Sequence, residues 1–296
     1  MLKVTTGSKI IAALLGVSLA ITYPTYAEPT SVSVNVSVAQ PESGLDWTKG
    51  AESDVIAVGI GLPDERGTAM MREAATLAAQ RNLLGIIRGV QIDADTLMEN
   101  LFITSDIVKR KVSGVLRGAK IVEEGTLADG SYYVKMRVPL YGSTDSLAAA
   151  AFANTSYTKE PFPKVENTKL SEAEVEQVRD AGYTGVIIDA SGLGLDPTFS
   201  PVVYDDSGRA VYGVNNIDAD FAIREGMVGY ADELTEAEAQ SRAGDNPLVI
   251  KAEAVSGGQV TVNDVNVVVS EEDADRMLIA NEATDIMEDC SVVFVK

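Results

Sequence analysis

A chain of 296 residues with 46% apolar side chains can bury real cores, and its length is a soft expectation of two domains. Its 24 Lys and Arg stand against 44 Asp and Glu, a net charge of −20 that argues against a nucleic-acid partner and against a polybasic grip on anionic lipid. With no histidine and one cysteine, Cys290, the chain has no Ser-His or Cys-His nucleophile pair, no His-ligated or thiolate metal cluster, and no disulfide within itself.

In chain order, the first 27 residues read as a secretory signal peptide. Lys3 and Lys9 precede a short apolar core over 10–22, and Thr25-Tyr26-Ala27 offers the small residues that favour cleavage between Ala27 and Glu28. That core is about 13 residues, short of the ~20 a spanning helix needs, so an exported chain with no direct membrane span is expected. Its place would be the periplasm or outside the cell.

Residues 28–46 form a Ser-, Val-, Pro- and Glu-rich tether whose SVSVNVSVAQ alternates like an edge strand. Trp47 opens a first domain, 47–142. Asp54 to Ile60 is a predicted strand. The next stretch, MREAATLAAQRNLLGIIRGV, puts Met71, Ala75, Ala79, Leu83, Ile86 and Val90 on one helical stripe, closed by Gly89. Thr96 with Glu99 predicts a capping box, Ser105-Asp106 another helix start, and Lys120–Glu124 with Tyr132–Leu140 a hairpin with a two-residue turn at Asp129-Gly130. Residues 143–182 read as a connection with short helices, LAAAAF and an acidic one capped by Ser171 and Glu174.

A second domain, 183–296, begins with the strand TGVIIDA. Hairpins are predicted around Asp206-Ser207-Gly208 and around Gly257-Gly258, the second pairing 247–255 with 260–269. Thr235 with Glu238 predicts a helix cap, and Ser270 to Asp289 an amphipathic helix before the closing strand SVVFV. Cys290, between them, reads as a small buried residue. The expected class is α+β: two small domains, each a mainly antiparallel sheet with helices on one face.

Motifs for chemistry are weak. Gly59-Ile60-Gly61 follows a strand and precedes a helix, but Asp64 stands where a dinucleotide fingerprint needs its third glycine. The glycines read better as a place where a helix packs close to a strand. Asp93 with Asp95, Asp205 with Asp206, and Asp218 with Asp220 lack the twelve-residue calcium loop, so they read as turn caps, with weak divalent-cation binding left open. No pair among 44 acids stands out for glycoside hydrolysis, and no Gly-x-Ser-x-Gly elbow is present. No catalytic, cofactor or metal residue is assigned, and a non-enzyme is expected.

Three blocks carry a resemblance. AAQRNLLGIIRGVQIDADT, SDIVKRKVSGVLRGAKIVEEG and DGSYYVKMRVPLYG follow one another in the order and spacing of a known group. From Trp47 to Gly142 the chain resembles the Lpp-twenty (LPP20) family of bacterial envelope lipoproteins and its FlgP-like flagellar members, here in a long form without the lipid-bearing cysteine. The residues that carry it are Arg81, Asn82, Leu83, Leu84, Gly89, Val90, Asp106, Gly118, Asp129, Gly130 and Pro139. The later part, with YTGVIIDASGLGLDP and SPVVYDDSGRAVYG, is similar to an extension of longer members. The resemblance implies an exported, non-catalytic envelope component. It would assemble with itself or with an envelope partner in a flagellar or outer-membrane structure, and without the lipid any outer-membrane association would run through that partner. Two alternatives stay open from the residues alone. One is a monomeric periplasmic module binding a small ligand or divalent cation in a crevice between the domains; the other, behind it, is a carboxylate-dependent hydrolase.

Overall fold

The computed structural model describes residues 42–154, 158–258 and 263–296. The expected signal peptide with its cleavage site between Ala27 and Glu28, and the expected tether up to residue 41, lie outside the described residues, as does the start of the strand expected at 260.

The first region runs β1 (Gly44–Leu45), β2 (Asp54–Gly61), α1 (Thr68–Arg88), α2 (Met98–Thr104), α3 (Asp106–Arg117), β3 (Lys120–Thr126), β4 (Tyr132–Pro139) and α4 (Leu147–Ala151). Its strands form an antiparallel sheet in the order β1-β2-β4-β3, as expected for this half. Val55, Ala57, Val134, Met136 and Val138 turn to the buried face, where Ala75, Ala79, Leu83 and Ile87 of α1 meet them. The stripe of α1 is the predicted one shifted at its end: Ile87 is buried and Ile86 is half-buried.

Close packing of α1 on β2 follows from side chains that are missing. A Cβ on Gly59 would lie 2.0 Å from the Ala75 carbonyl oxygen and 2.2 Å from the Ala79 nitrogen. One on Gly61 would lie 1.9 Å from the Met71 carbonyl oxygen. Helix backbone therefore rests directly on strand backbone, the arrangement that the two glycines and the alanines of α1 together permit. Asn82 adds a side-chain hydrogen bond to the Val58 carbonyl, 2.7 Å.

The second region contains α5 (Glu172–Asp180), β5 (Gly185–Asp189), β6 (Val203–Asp205), β7 (Ala210–Tyr212), α6 (Ala219–Glu225), β8 (Gly229–Ala231), α7 (Leu234–Ala239), β9 (Pro247–Lys251), β10 (Ala254–Gly257), β11 (Asp264–Val269), α8 (Glu271–Thr284) and β12 (Val292–Val295). The mixed α+β class holds, but here the sheets differ from the antiparallel expectation. Strands β8-β12-β5-β9 form a wholly parallel sheet. A second sheet, β10-β11-β6-β7, is mixed, with β11 and β6 parallel.

The physical reason is burial on both faces. In β12 all four residues are buried, and in β5 all but Asp189. One face belongs to the main core with Met277, Leu278 and Val267, and the other packs Ile187, Val293 and Val295 against Ala237 of α7. Continuous apolar strands of this kind suit a parallel sheet with covered faces. The long hairpin expected over 247–269 is accordingly split. β9 pairs with β5, and the chain changes sheets at 252–253, where Ala252 N–H donates to the Asp189 carbonyl and Glu253 N–H to that of Val268. Only β10 and β11 form the hairpin.

Local signals explain most boundaries. Ser171 and Glu174 make the reciprocal capping box expected for α5. The box expected at Thr96 and Glu99 does not form: one residue on, Asn100 Oδ1 accepts from the Leu97 N–H at 2.9 Å, and Leu97 has no side-chain oxygen to complete the pair. Thr235 lies inside α7 and does not cap it, since Glu233 is the residue at the helix entrance. The turn at Asp129-Gly130 is not the two-residue one expected: Ala128 joins it, because Leu127 N–H donates to the Ser131 carbonyl, so both tight hairpins are three-residue loops with glycine at positive φ, Gly130 at 84° and Gly208 at 88°.

The two regions keep separate cores but share a seam within one compact unit. Trp47 packs edge-on against Tyr141, Phe199 and Tyr230, with ring centroids 6.4, 5.3 and 5.8 Å away. Phe199, from the second region, lies in the core of the first. Helix α4, in the expected connection, is buried in that core along its whole length.

Candidate interaction surface

The residues singled out by the family resemblance are mostly those that shape the first region. Leu83 and Val90 are core. Gly89 and Gly118 end α1 and α3. Asp129 Oδ1 accepts from the Ser131 N–H and hydroxyl at 2.9 and 2.6 Å, which holds its carboxyl below the usual range. Gly130 takes the left-handed position of that turn, and Pro139 ends β4 opposite Asp54. Asp106 opens α3 as an acid in the first turn, where the helix dipole favours it. Leu84 is half-buried, and Arg81 is exposed on α1. They are spread over caps, turn and core and do not converge on one pocket.

The acids weighed as cation ligands are caps. Asp93 Oδ1 accepts from the Asp95 N–H, and Asp218 Oδ1 caps α6 through the Asp220 and Phe221 N–H groups. Asp205, 2% exposed, accepts from the Ser207 and Arg209 backbones and pairs with the Arg209 guanidinium at 2.7 Å. Burial pushes its carboxyl up, but the Ser207 and Arg209 hydrogen bonds outweigh it and hold it below the ordinary range. Arg209 also reaches Asp275 of α8 at 2.8 Å, which ties the β6–β7 turn to that helix. Asp64, at the would-be third glycine, folds back on Arg66, whose guanidinium brings its carboxyl down to about 2. Cys290 is fully buried, and desolvation raises its thiol. Among the described residues no three acidic or cysteine side chains gather as a metal site, and no helix is long and apolar enough to cross a membrane.

The chemistry that remains exposed lies on α3 and its neighbours. Val108, Val112 and Val115 fall on one side of DIVKRKVSGVLR and are buried, and Ser105 caps the helix through the Val108 N–H. That orientation leaves Lys109, Arg110, Lys111 and Arg117 exposed, joined by Lys120 at the start of β3. None of the five makes an ion pair among the described residues. The Phe102 ring lies under Arg88 at 5.1 Å and Lys109 at 5.9 Å. Beside them, Ile103 is 74% exposed and Ile107 39%.

Edge strand β3 is exposed along nearly its whole length, including Ile121 and Val122. It is not a plain edge: a bulge falls between Ile121 and Glu123, and Arg72 of α1 holds Glu124 at 2.7 Å. Both features blunt strand-to-strand pairing.

The basic run was missed by whole-chain charge, yet it is readable once the chain is divided. Residues 42–142 carry 12 Lys and Arg against 14 Asp and Glu, a net −2. Residues 143–296 carry 10 against 29, a net −19; the first 41 residues add +1.

A cleft of about 530 Å³ also lies between Thr48–Glu52 and residues of the second region, among them Glu225, Arg242 and Asp289. Arg242 is already engaged there, donating to the carbonyls of Gly226 and Cys290 at 3.2 and 2.6 Å and to that of Glu225.

Among known families, residues 185–296 match the one described as Treponema pallidum Tp0624, second domain. The match spans β5 to β12 and so takes in the parallel sheet, the mixed sheet and α8. No curated protein matches the chain significantly.

Proposed function

We propose that this protein is an exported, non-enzymatic component of the cell envelope that assembles with copies of itself, in a structure linked to the outer membrane or flagellum. The single observation that carries the reading is the surface of α3 and the start of β3: five exposed cations with no ion pair among the described residues, next to two exposed isoleucines, in a chain of net charge −20. Exposed cations beside exposed apolar side chains are a combination that interfaces use, the charge steering a partner and the apolar area holding it. The blocks resembling the Lpp-twenty family, which include α3 itself, support an envelope location. So does the reading of the first 27 residues as a leader.

Fractionating the native host after cross-linking tests this. The expected result is the chain in the envelope fraction, with homotypic cross-links that include residues of α3. Recovery from the cytoplasm, or an exported chain cross-linked to no copy of itself, would end the reading.

A second reading, a small-ligand module, is favoured only by the 530 Å³ cleft, which combines Lys49 and Arg242 with Glu52, Glu225 and Asp289. It expects a chain that stays monomeric and whose melting temperature rises with a polar ligand.

A further inference from the structure

The split of charge along the chain says what the α3 surface would meet. We infer that copies associate head to tail, with the cationic face of α3 on one copy docking against the acidic second region of the next. This rests on the self-assembly proposed above and names the surfaces that carry it.

Three observations select this mode. First, β3 is a poor edge for symmetric strand pairing, because of its bulge and its Arg72–Glu124 ion pair. Second, the cations of α3 make no ion pair among the described residues, although their own region holds 14 carboxylates, whereas residues 143–296 have 19 carboxylates in excess. Third, the second region offers a surface of matching character on α7: Glu233 and Glu238 are exposed, and between them Leu234 is 36% exposed. Neither carboxylate is in an ion pair among the described residues. A basic surface with Ile103 and Ile107 therefore faces an acidic one with Leu234.

An anionic lipid surface is the competing occupant. It would attract α3 but repel the 29 acids that follow in the same chain, whereas a second copy is strongly anionic in one region only. Two different surfaces in contact make a heterologous interface, which does not stop at a dimer and continues into a ring or a filament.

Sedimentation velocity on the exported full chain tests the inference, with Arg110→Glu/Lys111→Glu and Glu233→Lys/Glu238→Lys as variants. All four side chains are exposed, and circular dichroism checks that each variant is folded. The wild type should grow in mass with concentration. Each variant alone should lose at least tenfold in association constant, and mixing the two should restore association, because each supplies a surface that complements the other. Raising salt from about 0.1 M to about 1 M shortens the screening length from ~10 to ~3 Å and should dissociate the wild-type assembly. Variants that assemble like the wild type would overturn this interface and leave self-assembly standing. A wild type that stays monomeric would overturn both. Binding of that monomer to phosphatidylglycerol vesicles, lost in Arg110→Glu/Lys111→Glu, would give the surface to a membrane instead.

Discussion

The two regions solve the same packing problem in opposite ways. In the first, α1 lies on an antiparallel sheet through glycine and alanine, and the opposite face turns Ile60, Lys135 and Arg137 toward solvent or its border. In the second, both faces of a parallel sheet are covered, and nearly every residue of β5 and β12 is buried. Their surfaces differ as much: nearly neutral with a knot of unpaired cations in one, acidic throughout in the other. The contrast separates a region that leaves cations and apolar side chains exposed side by side from one whose parallel sheet is enclosed and whose charge is mostly negative.

The comparison can be broken or sharpened by substitution. The largest effect is expected at Gly59→Val, because its Cβ meets helix backbone that cannot rotate away; a loss of ~3 kcal/mol or more in urea unfolding is expected. An unchanged midpoint would mean that α1 does not rest on β2 as described. Next comes Trp47→Ala, which removes the ring shared by both cores. A loss of about 3 kcal/mol is expected, with the two regions beginning to unfold in separate steps. One sharp transition with little loss would show that the seam does not couple them.

Arg209→Met addresses the second region alone. It leaves Asp205 and Asp275, 2% and 5% exposed, without their shared cation. The cost at neutral pH should be about 2 kcal/mol, less than a fully buried pair because Arg209 is partly exposed. The Asp205 carboxyl is held low in the fold, so its contribution is complete above the ordinary carboxyl pKa of about 4. It is lost as pH falls through the lowered value. The gap between wild type and variant should therefore narrow in acid, and a gap that stays constant would refute the pairing. Smallest is Ser171→Ala, expected to cost ~1 kcal/mol through loss of the α5 cap.

How much of this was legible beforehand also differs between the regions. In the first, the hairpin of β3 and β4, the α1 stripe and the purpose of Gly59 and Gly61 could be read, because turn residues, alanine spacing and glycine act locally, whereas the pairing of β2 with β4 could not. In the second, the expectation of a mainly antiparallel sheet failed. GVIID and VVFV are continuous apolar runs, the mark of strands covered on both faces, and their parallel partners lie far away in sequence. The jump of the chain between sheets at 252–253 has no turn signature, since no glycine or proline marks Ala252-Glu253. As for the candidate surface, KRK at 109–111 stood in plain view but was hidden by summing charge over the whole chain.

The claim on which the account turns is that this chain joins to its own kind. Sedimentation equilibrium of the chain from residue 28 onward, at micromolar concentration and moderate salt, measures it most directly. The account predicts a weight-average mass that climbs steadily with concentration past that of a dimer. A single species of monomer mass across the whole range would contradict it.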